Sequence, residues 1–173
     1  MHNGGVVTHP GIRAAMSIGS DYRTTLLAYF EEEIGGEAYF HGMAEHFDEP
    51  GAADKLHLLG EVERCAAEAV RPLLQRHGLT PREESELKAE GAAYVARHAG
   101  MSWEAFVDHM VVRYPAYIDD FEALEAMAPA EDLPALRILT EHEVAVIACA
   151  QREKAGDAAA ADPMRAYIAA CRG

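Results

Sequence analysis

Four glutamates fall on stripes of the sequence that are otherwise apolar at helical spacing, and they are the residues best suited to do chemistry. Glu63 and Glu143 each lie on the apolar stripe of one predicted helix, and Glu33 and Glu37 both lie on the stripe of the first. A carboxylate in an apolar core is costly unless it is paired with a cation, protonated or bound to a metal ion. Each of these acids therefore needs a partner.

Three of the acids are predicted to meet at one level. Glu37 and Glu63 each lie thirteen residues from the turn centred on residue 50, and Glu143 lies thirteen residues from the turn near residue 130. At a rise of about 1.5 Å per residue, each acid is about 20 Å along its helix from the turn. This spacing predicts that Glu37, Glu63 and Glu143 converge near the middle of a helical bundle.

Imidazole and phenol groups accompany the acids. His142 directly precedes Glu143, and His41 follows Glu37 by one helical turn on nearly the same face. In the third long helix, the inward polar residues at mid-height are Tyr114 and Tyr117 rather than acids. These side chains are further candidates for a polar site inside the bundle.

The elements that must position these residues are helices of one domain. The chain has 173 residues, half of them hydrophobic, which is typical of a single globular domain. Alanine, leucine, glutamate and arginine dominate and alternating β-branched runs are missing, so we predict an all-α fold. Residues 1–18 contain glycines and a proline without a sustained period, which predicts a flexible leader before a helical domain over 19–173.

The order of short and long connections predicts the topology. Turns near residues 50 and 130 join the first and the last pair of long helices, and a helical connection of roughly 25 residues lies between the pairs. This pattern is typical of a four-helix bundle with one long crossover, followed here by a short C-terminal helix. Gly78 is predicted to cap the second helix and Pro115 to kink the third long one. The first predicted helix covers residues 20–47, and the second runs from the turn near residue 50 to about residue 77. The others cover residues 80–98, 102–128, 132–154 and 164–171.

Over about residues 20–155 the chain resembles the ferritin-like superfamily, because of this topology and the constellation of Glu37, Glu63 and Glu143. Members of that family hold two metal ions, usually iron, at mid-bundle, and they store iron, reduce peroxide or activate oxygen. The resemblance therefore implies a non-haem di-iron oxidoreductase that acts on a small-molecule substrate. It implies iron ligands at Glu37, Glu63, Glu143 and His142, supplementary ligands at Glu33 and His41, and hydrogen-bonding support from Tyr117 and Tyr114.

Other interpretations of the same residues stay open. The family pattern has a histidine three residues after the second- and fourth-helix glutamates, where this chain has Ala66 and Val146. A metal-free bundle would keep the acids as a hydrogen-bonded polar core and would bind a small molecule or a partner protein. Any single acid could also lie at the edge of the buried face of its helix, where Glu63, for example, could reach Arg64. His57 and Glu61 have the one-turn spacing of hemerythrin-like metal sites, although no second histidine pair follows.

Charge and cysteine content exclude several partners. Fifteen basic residues against 29 acidic ones give a formal net charge of −14 at pH 7, which gives no footing on nucleic-acid phosphates or anionic membranes. No apolar run approaches the roughly 18 residues of a membrane span. Three widely spaced cysteines favour a reducing cytoplasm over a disulfide framework. Cys65 and Cys149 are predicted to be buried thiols, and Cys171 is predicted to have no functional role. We also expect a homodimer.

Overall fold

The protein is all-helical across the residues that the computed structural model describes, 21–173. Short 3-10 turns follow the first helix at Ala44–His46 and the third at Val95–Arg97. The predicted all-α fold is confirmed, whereas the predicted leader over residues 1–18 lies outside the described residues. The helices are α1 (Tyr22–Met43), α2 (Ala52–Arg76), α3 (Glu84–Tyr94), α4 (Trp103–Arg113), α5 (Pro115–Met127), α6 (Leu133–Lys154) and α7 (Asp162–Arg172).

Local chemistry sets most helix ends as the sequence predicts. Gly78 follows α2 with a φ of +62°, the left-handed conformation that glycine adopts without steric cost. Ser102 Oγ accepts a hydrogen bond from Ala105 N (3.2 Å) at the start of α4. The predicted long helix is interrupted at Tyr114, because Pro115 occupies the first position of α5, where its missing N–H is tolerated.

The start of α3 differs from the prediction. Thr80 and Pro81 are predicted to begin a helix, but α3 begins at Glu84. Arg82 explains the difference, since its backbone N–H donates to Glu31 Oε1 (2.8 Å) and its Nε donates to Glu31 Oε2 (2.9 Å) on α1. A bidentate, charge-assisted contact across helices outweighs the weaker local preference for a capped start.

Four long elements surround one core. α1 lies beside α2, α2 beside α6, and α6 beside α4 and α5, while α5 touches α1 and closes the ring. α3 packs on α1, and α7 packs against α2 and α6. The fold is therefore a helical bundle in which α4 and α5 together act as one long element. The buried core includes Leu26, Phe30, Ile34, Leu56, Val70, Phe106, Phe121, Leu136 and Leu139.

A membrane-crossing helix is not found in the described range, because none of its helices combines the length and the apolarity that a bilayer span requires.

Asp132 ties three helix ends together at one end of the bundle. Its side chain is fully buried and accepts hydrogen bonds from Tyr22 Oη (2.7 Å), from the Arg76 guanidinium and from His77 Nε2 (2.5 Å). Burial alone would raise the pKa of Asp132, but these hydrogen bonds outweigh it and hold the pKa below its ordinary value of 3.8. The folded chain therefore stabilises the ionised carboxylate.

Replacing Asp132 by asparagine is expected to lower the free energy of unfolding at pH 7 by about 2 kcal/mol, because hydrogen bonds to a charged acceptor are worth about 1.5–3 kcal/mol. The native pKa lies below the ordinary value, so the contribution is present above about pH 4 and is lost as the pH falls through the native pKa. Urea denaturation at pH 7 and pH 3 measures both effects. Glu131→Gln, at an exposed neighbouring position, is the control, and an undiminished difference at pH 3 would contradict the prediction.

Candidate metal centre

Three glutamates and one histidine are buried side by side where α1, α2 and α6 face one another. Glu33 comes from α1, Glu63 from α2, and none of the four exposes more than 5% of its surface. His142 and Glu143 come from α6, and His142 Nε2 lies 3.3 Å from Glu143 Oε2. The same nitrogen lies 3.4 Å from Glu33 Oε2 and 3.9 Å from Glu63 Oε1. These four residues are the acid–His cluster.

The acids meet because each lies near the middle of its helix. Glu33 lies ten residues before the end of α1, and Glu63 lies eleven residues after the start of α2. Glu143 lies ten residues after the start of α6. At about 1.5 Å per residue these positions are about 15–17 Å from a helix end. The cluster is therefore at mid-bundle.

Glu37 lies outside the cluster, which corrects the predicted convergence. Its carboxylate accepts a hydrogen bond from Arg64 Nε (3.1 Å) and lies 3.4 Å from Lys88 Nζ. The prediction measured height from the middle of the turn, but α1 ends at Met43 and the chain leaves the helix there through a 3-10 turn. Glu33, one helical turn earlier, therefore occupies the level that was predicted for Glu37.

His41 also lies away from the cluster. It packs against Gly60 of α2, and its ring centroid is 5.4 Å from that of His57. The expected role of His41 as a supplementary ligand has no geometric support. The hemerythrin-like spacing fares no better, because Glu61 forms an exposed ion pair with Arg172 (3.0 Å).

Aromatic side chains of α4–α5 stand on the side where a ferritin-like pattern has an acid. The Phe121 ring meets the His142 ring edge to face, with centroids 5.3 Å apart. Tyr114 and Tyr117 are both buried, and their ring centroids are 5.4 Å apart. Burial raises the pKa of Tyr114 well above its ordinary value, and neighbouring charges, Glu143 among them, add to this. The charge of Glu143 in the cluster therefore acts on the Tyr114 phenol.

Gly36 shapes the cluster, although in the sequence it reads only as a weak point of the first helix. A Cβ at this position would lie 2.5 Å from Glu63 Oε2. The missing side chain therefore admits the Glu63 carboxylate between α1 and α2. A Gly-Gly pair inside a helix is the available signal, since glycine costs about 1 kcal/mol there relative to alanine and implies a packing reason.

Burial raises the pKa of all three carboxyl groups in the cluster. For Glu33, the charge of Glu63, a hydrogen bond with the Glu63 carboxyl and the charge of Glu143 add to the burial, so its pKa lies well above the ordinary value. Burial also dominates the raised pKa values of Glu63 and Glu143, and His142 opposes it. For His142 burial lowers the pKa, but the hydrogen bond and the charges of the acids outweigh it and the net shift is upward. Carboxyl groups that share a hydrogen bond need a proton between them.

Two buried carboxylate oxygens of the cluster lack a hydrogen-bond partner among the described residues, and one imidazole nitrogen faces the acids. Within residues 21–173, Glu33 Oε2 and Glu143 Oε1 have no hydrogen-bond partner, which is uncommon for buried oxygens. His142 Nδ1 bonds to the carbonyl oxygen of Leu139. Because a carbonyl only accepts, Nδ1 carries the proton and Nε2 faces the acids, as in metal-binding histidines.

The distances fit one metal ion. Oxygen and nitrogen ligands about 2.0–2.2 Å from a tetrahedral ion are about 3.4 Å from one another, and the nitrogen–oxygen distances in the cluster are 3.3, 3.4 and 3.9 Å. One ligand atom each from Glu33, Glu63 and His142 lie within 4.8 Å of one another, whereas Glu143 is not part of this group and contacts His142 beside it. A second ion would lack ligands, because Ala66 and Val146 stand where the ferritin-like pattern has histidines.

Comparisons with known proteins identify no family for the chain. No protein-family model, no curated protein and no solved structure matches it. The ferritin-like resemblance therefore stays a prediction that depends on topology and on the acids of the bundle.

Without a bound ion, the protein is expected to become less stable as the pH rises from about 5 to 8. The native carboxyl groups have pKa values above the ordinary 4.5, so the native state binds more protons than the unfolded state in this window. Stability then falls by up to about 1.4 kcal/mol per pH unit for each extra proton. The raised pKa of His142 acts in the same direction above its ordinary value of 6.5. Urea denaturation in the presence of a chelator at pH 5, 6.5 and 8 measures the slope.

A pair of matched variants assigns that slope to the cluster. Glu33→Gln keeps the shape of the side chain but removes its titration, so it should flatten the slope and exceed the wild type in stability at pH 8. Glu37→Gln is the control, because its carboxylate is paired with Arg64 outside the cluster. Equal flattening by both variants would place the origin of the slope elsewhere.

Proposed function

We propose that the protein is a ferritin-like helical bundle that binds one iron ion in the acid–His cluster and acts as a non-haem iron oxidoreductase. The observation that carries this proposal is the burial of three carboxyl groups around the Nε2 of one histidine, with two of their oxygens lacking a hydrogen-bond partner in the described range. Carboxylate and imidazole ligands suit iron, manganese and zinc, and iron is the usual metal of the family that the chain resembles. The four ligands favour one ion rather than the two that the resemblance implies.

The connectivity of the helices supports the ferritin-like assignment. Short connections join α1 to α2 and α5 to α6, and the segment that contains α3 forms the long connection between α2 and α4. One long crossover between two short turns distinguishes ferritin-like bundles from up-down-up-down bundles.

A bound iron ion would supply electron exchange with oxygen or a peroxide. The chain determines where that chemistry takes place. The Leu139 carbonyl orients the His142 ring, and Phe121 keeps water from one side of it. The carboxyl groups of the cluster have raised pKa values and must be ionised to bind a cation, so affinity should rise with pH.

A metal-free role is the alternative, and one observation favours it. The contact between His142 Nε2 and Glu143 Oε2 (3.3 Å) satisfies part of the cluster without an ion, and the raised pKa values of its carboxyl groups favour their uncharged forms. A small molecule would then bind elsewhere on the bundle. A cleft of about 310 Å³ between α4 and the end of α6 is lined by Trp103, Glu104, Val107, Asp108, Glu153 and Lys154.

Metal analysis of the protein purified without chelator and then loaded with ferrous iron distinguishes the two roles. We expect about one iron per chain in the wild type and a loss of iron in Glu63→Ala and Glu143→Ala, because each change removes one of four ligands. Inductively coupled plasma mass spectrometry measures the content, and circular dichroism checks the fold.

Glu61→Ala is the control for this experiment, since Glu61 lies two residues from Glu63 but pairs with Arg172 on the surface. Wild-type protein that stays far below one metal per chain after loading would rule out the metal site and leave the metal-free role. Loss of iron from Glu61→Ala as well would argue against the acid–His cluster as its location.

Gly36→Ala is expected to weaken metal binding by about tenfold or more, because the new methyl group must displace the Glu63 carboxylate. Changes that misorient a ligand typically reduce metal affinity by about 10–100-fold. Competition with a chromophoric chelator measures the affinity. Gly100→Ala is the control, because a Cβ there meets nothing within 4 Å; equal affinities of the two variants would exclude Glu63 as a ligand.

A further inference from the structure

We propose that Cys65 and Cys171 are a redox-sensitive pair that forms a reversible disulfide and fastens α7 to α2. The inference concerns the thiols alone and holds whether or not the acid–His cluster binds a metal. The sequence alone predicts no functional role for Cys171, and all three cysteines are free thiols in the structure.

Cys65 and Cys171 lie in contact although 106 residues separate them in the sequence. Cys171 Sγ lies 3.4 Å from the carbonyl oxygen of Cys65. Burial raises the pKa of Cys171 to about 11, and the Cys65 thiol adds to this through its charge and a hydrogen bond. The Cys171 sulfur therefore lies against Cys65 across the α2–α7 contact, where a disulfide between the two residues would form.

The end of α7 is held on α2 by a second contact. Arg172 Nη2 lies 3.0 Å from Glu61 Oε2 on α2. Cys171 is half-buried, whereas only 5% of Cys65 is exposed. An oxidant from solvent therefore reaches Cys171 before Cys65, and because the raised pKa of Cys171 leaves little of its thiol ionised near neutral pH, the oxidation is slow.

Cys149 is a built-in control for this pair. It is buried on α6, and burial raises its pKa to about 11, the same value as for Cys171. The charges that act on Cys149 belong to acids, lysines and arginines, and no other cysteine is among them. Cys149 and Cys171 thus have the same pKa but different neighbours. If only Cys171 forms a disulfide, the cause is its position next to Cys65 and not its acidity.

The oxidant is a hydroperoxide, and the reaction balances in two steps. The Cys171 sulfur takes one oxygen from hydrogen peroxide, the O–O bond breaks, and the sulfenic acid and one water form. The Cys65 sulfur then attacks the sulfenic sulfur, the S–S bond forms, the S–O bond breaks, and a second water leaves with the thiol proton. Two thiols are oxidised by two electrons, one peroxide is reduced to two waters, and excess small thiol reverses the reaction by exchange.

The cross-link would fix a helix that borders the acid–His cluster. Tyr167, one turn before Cys171 on α7, donates a hydrogen bond to the Ile138 carbonyl oxygen of α6 (3.1 Å). Burial raises the pKa of Tyr167, and the charges of Cys171 and Glu33 are the next contributions. Oxidation would therefore restrain the helix that carries this tyrosine and packs against α6.

Peptide mapping tests the pair directly. The full chain is treated with hydrogen peroxide at pH 8, alkylated and digested with trypsin, which does not cut between Arg71 and Pro72. We expect a linked product of peptides 65–76 and 166–172, two hydrogens lighter than their sum. It should form equally in Cys149→Ser, be absent from Cys171→Ser and disappear after treatment with dithiothreitol.

A stability measurement adds a second outcome. Oxidation should raise the Tm of the wild type and of Cys149→Ser, because a cross-link between distant residues restricts the unfolded chain, and it should leave the Tm of Cys171→Ser unchanged. Cys171 is half-buried, so its serine variant is expected to fold, which circular dichroism verifies. The proposal is overturned if Cys149 is oxidised while Cys65 and Cys171 stay unlinked, if the links join separate chains, or if the linked product forms without a change in Tm.

Discussion

The burial of three carboxyl groups at one level of the core is the constraint on which the rest of the structure depends. An isolated ionised carboxylate in such a place costs several kcal/mol. The chain meets this constraint with one imidazole, His142, beside the acids and with raised carboxyl pKa values, which favour the uncharged form. Glu37, one turn further along α1, has Arg64 and Lys88 beside it and needs neither.

The same constraint explains features that look unfavourable in isolation. Gly36 weakens α1, yet a side chain there would overlap Glu63. The carbonyl of Leu139 turns the His142 ring so that Nε2 faces the acids. Phe121 of α5 packs on that ring, so α5 contributes an aromatic contact while the cluster residues come from α1, α2 and α6. Local stability is given up at a glycine so that polar groups can meet inside the bundle.

Asp132 shows by contrast what a purely structural buried acid looks like. Hydrogen bonds from Tyr22, Arg76 and His77 satisfy its carboxylate and hold its pKa below the ordinary value. The acids of the cluster share one imidazole instead of three donors, and burial raises their pKa values. The pKa of the acid that joins helix ends is thus lowered, whereas the pKa values of the acids at mid-bundle are raised.

The sequence by itself determined the all-α fold, most helix ends and the presence of Glu33, Glu63, Glu143 and His142 among the candidates, because helical periodicity states which face of a helix is buried. It did not determine whether Glu33 or Glu37 belongs to the cluster, since both lie on one stripe and the choice depends on where α1 leaves the helical path after Met43. It also left Cys171 without a partner and placed the start of α3 four residues early. Those points were decided by contacts across 51 and 106 residues of sequence, and local propensity carries no information about side chains that only packing brings together.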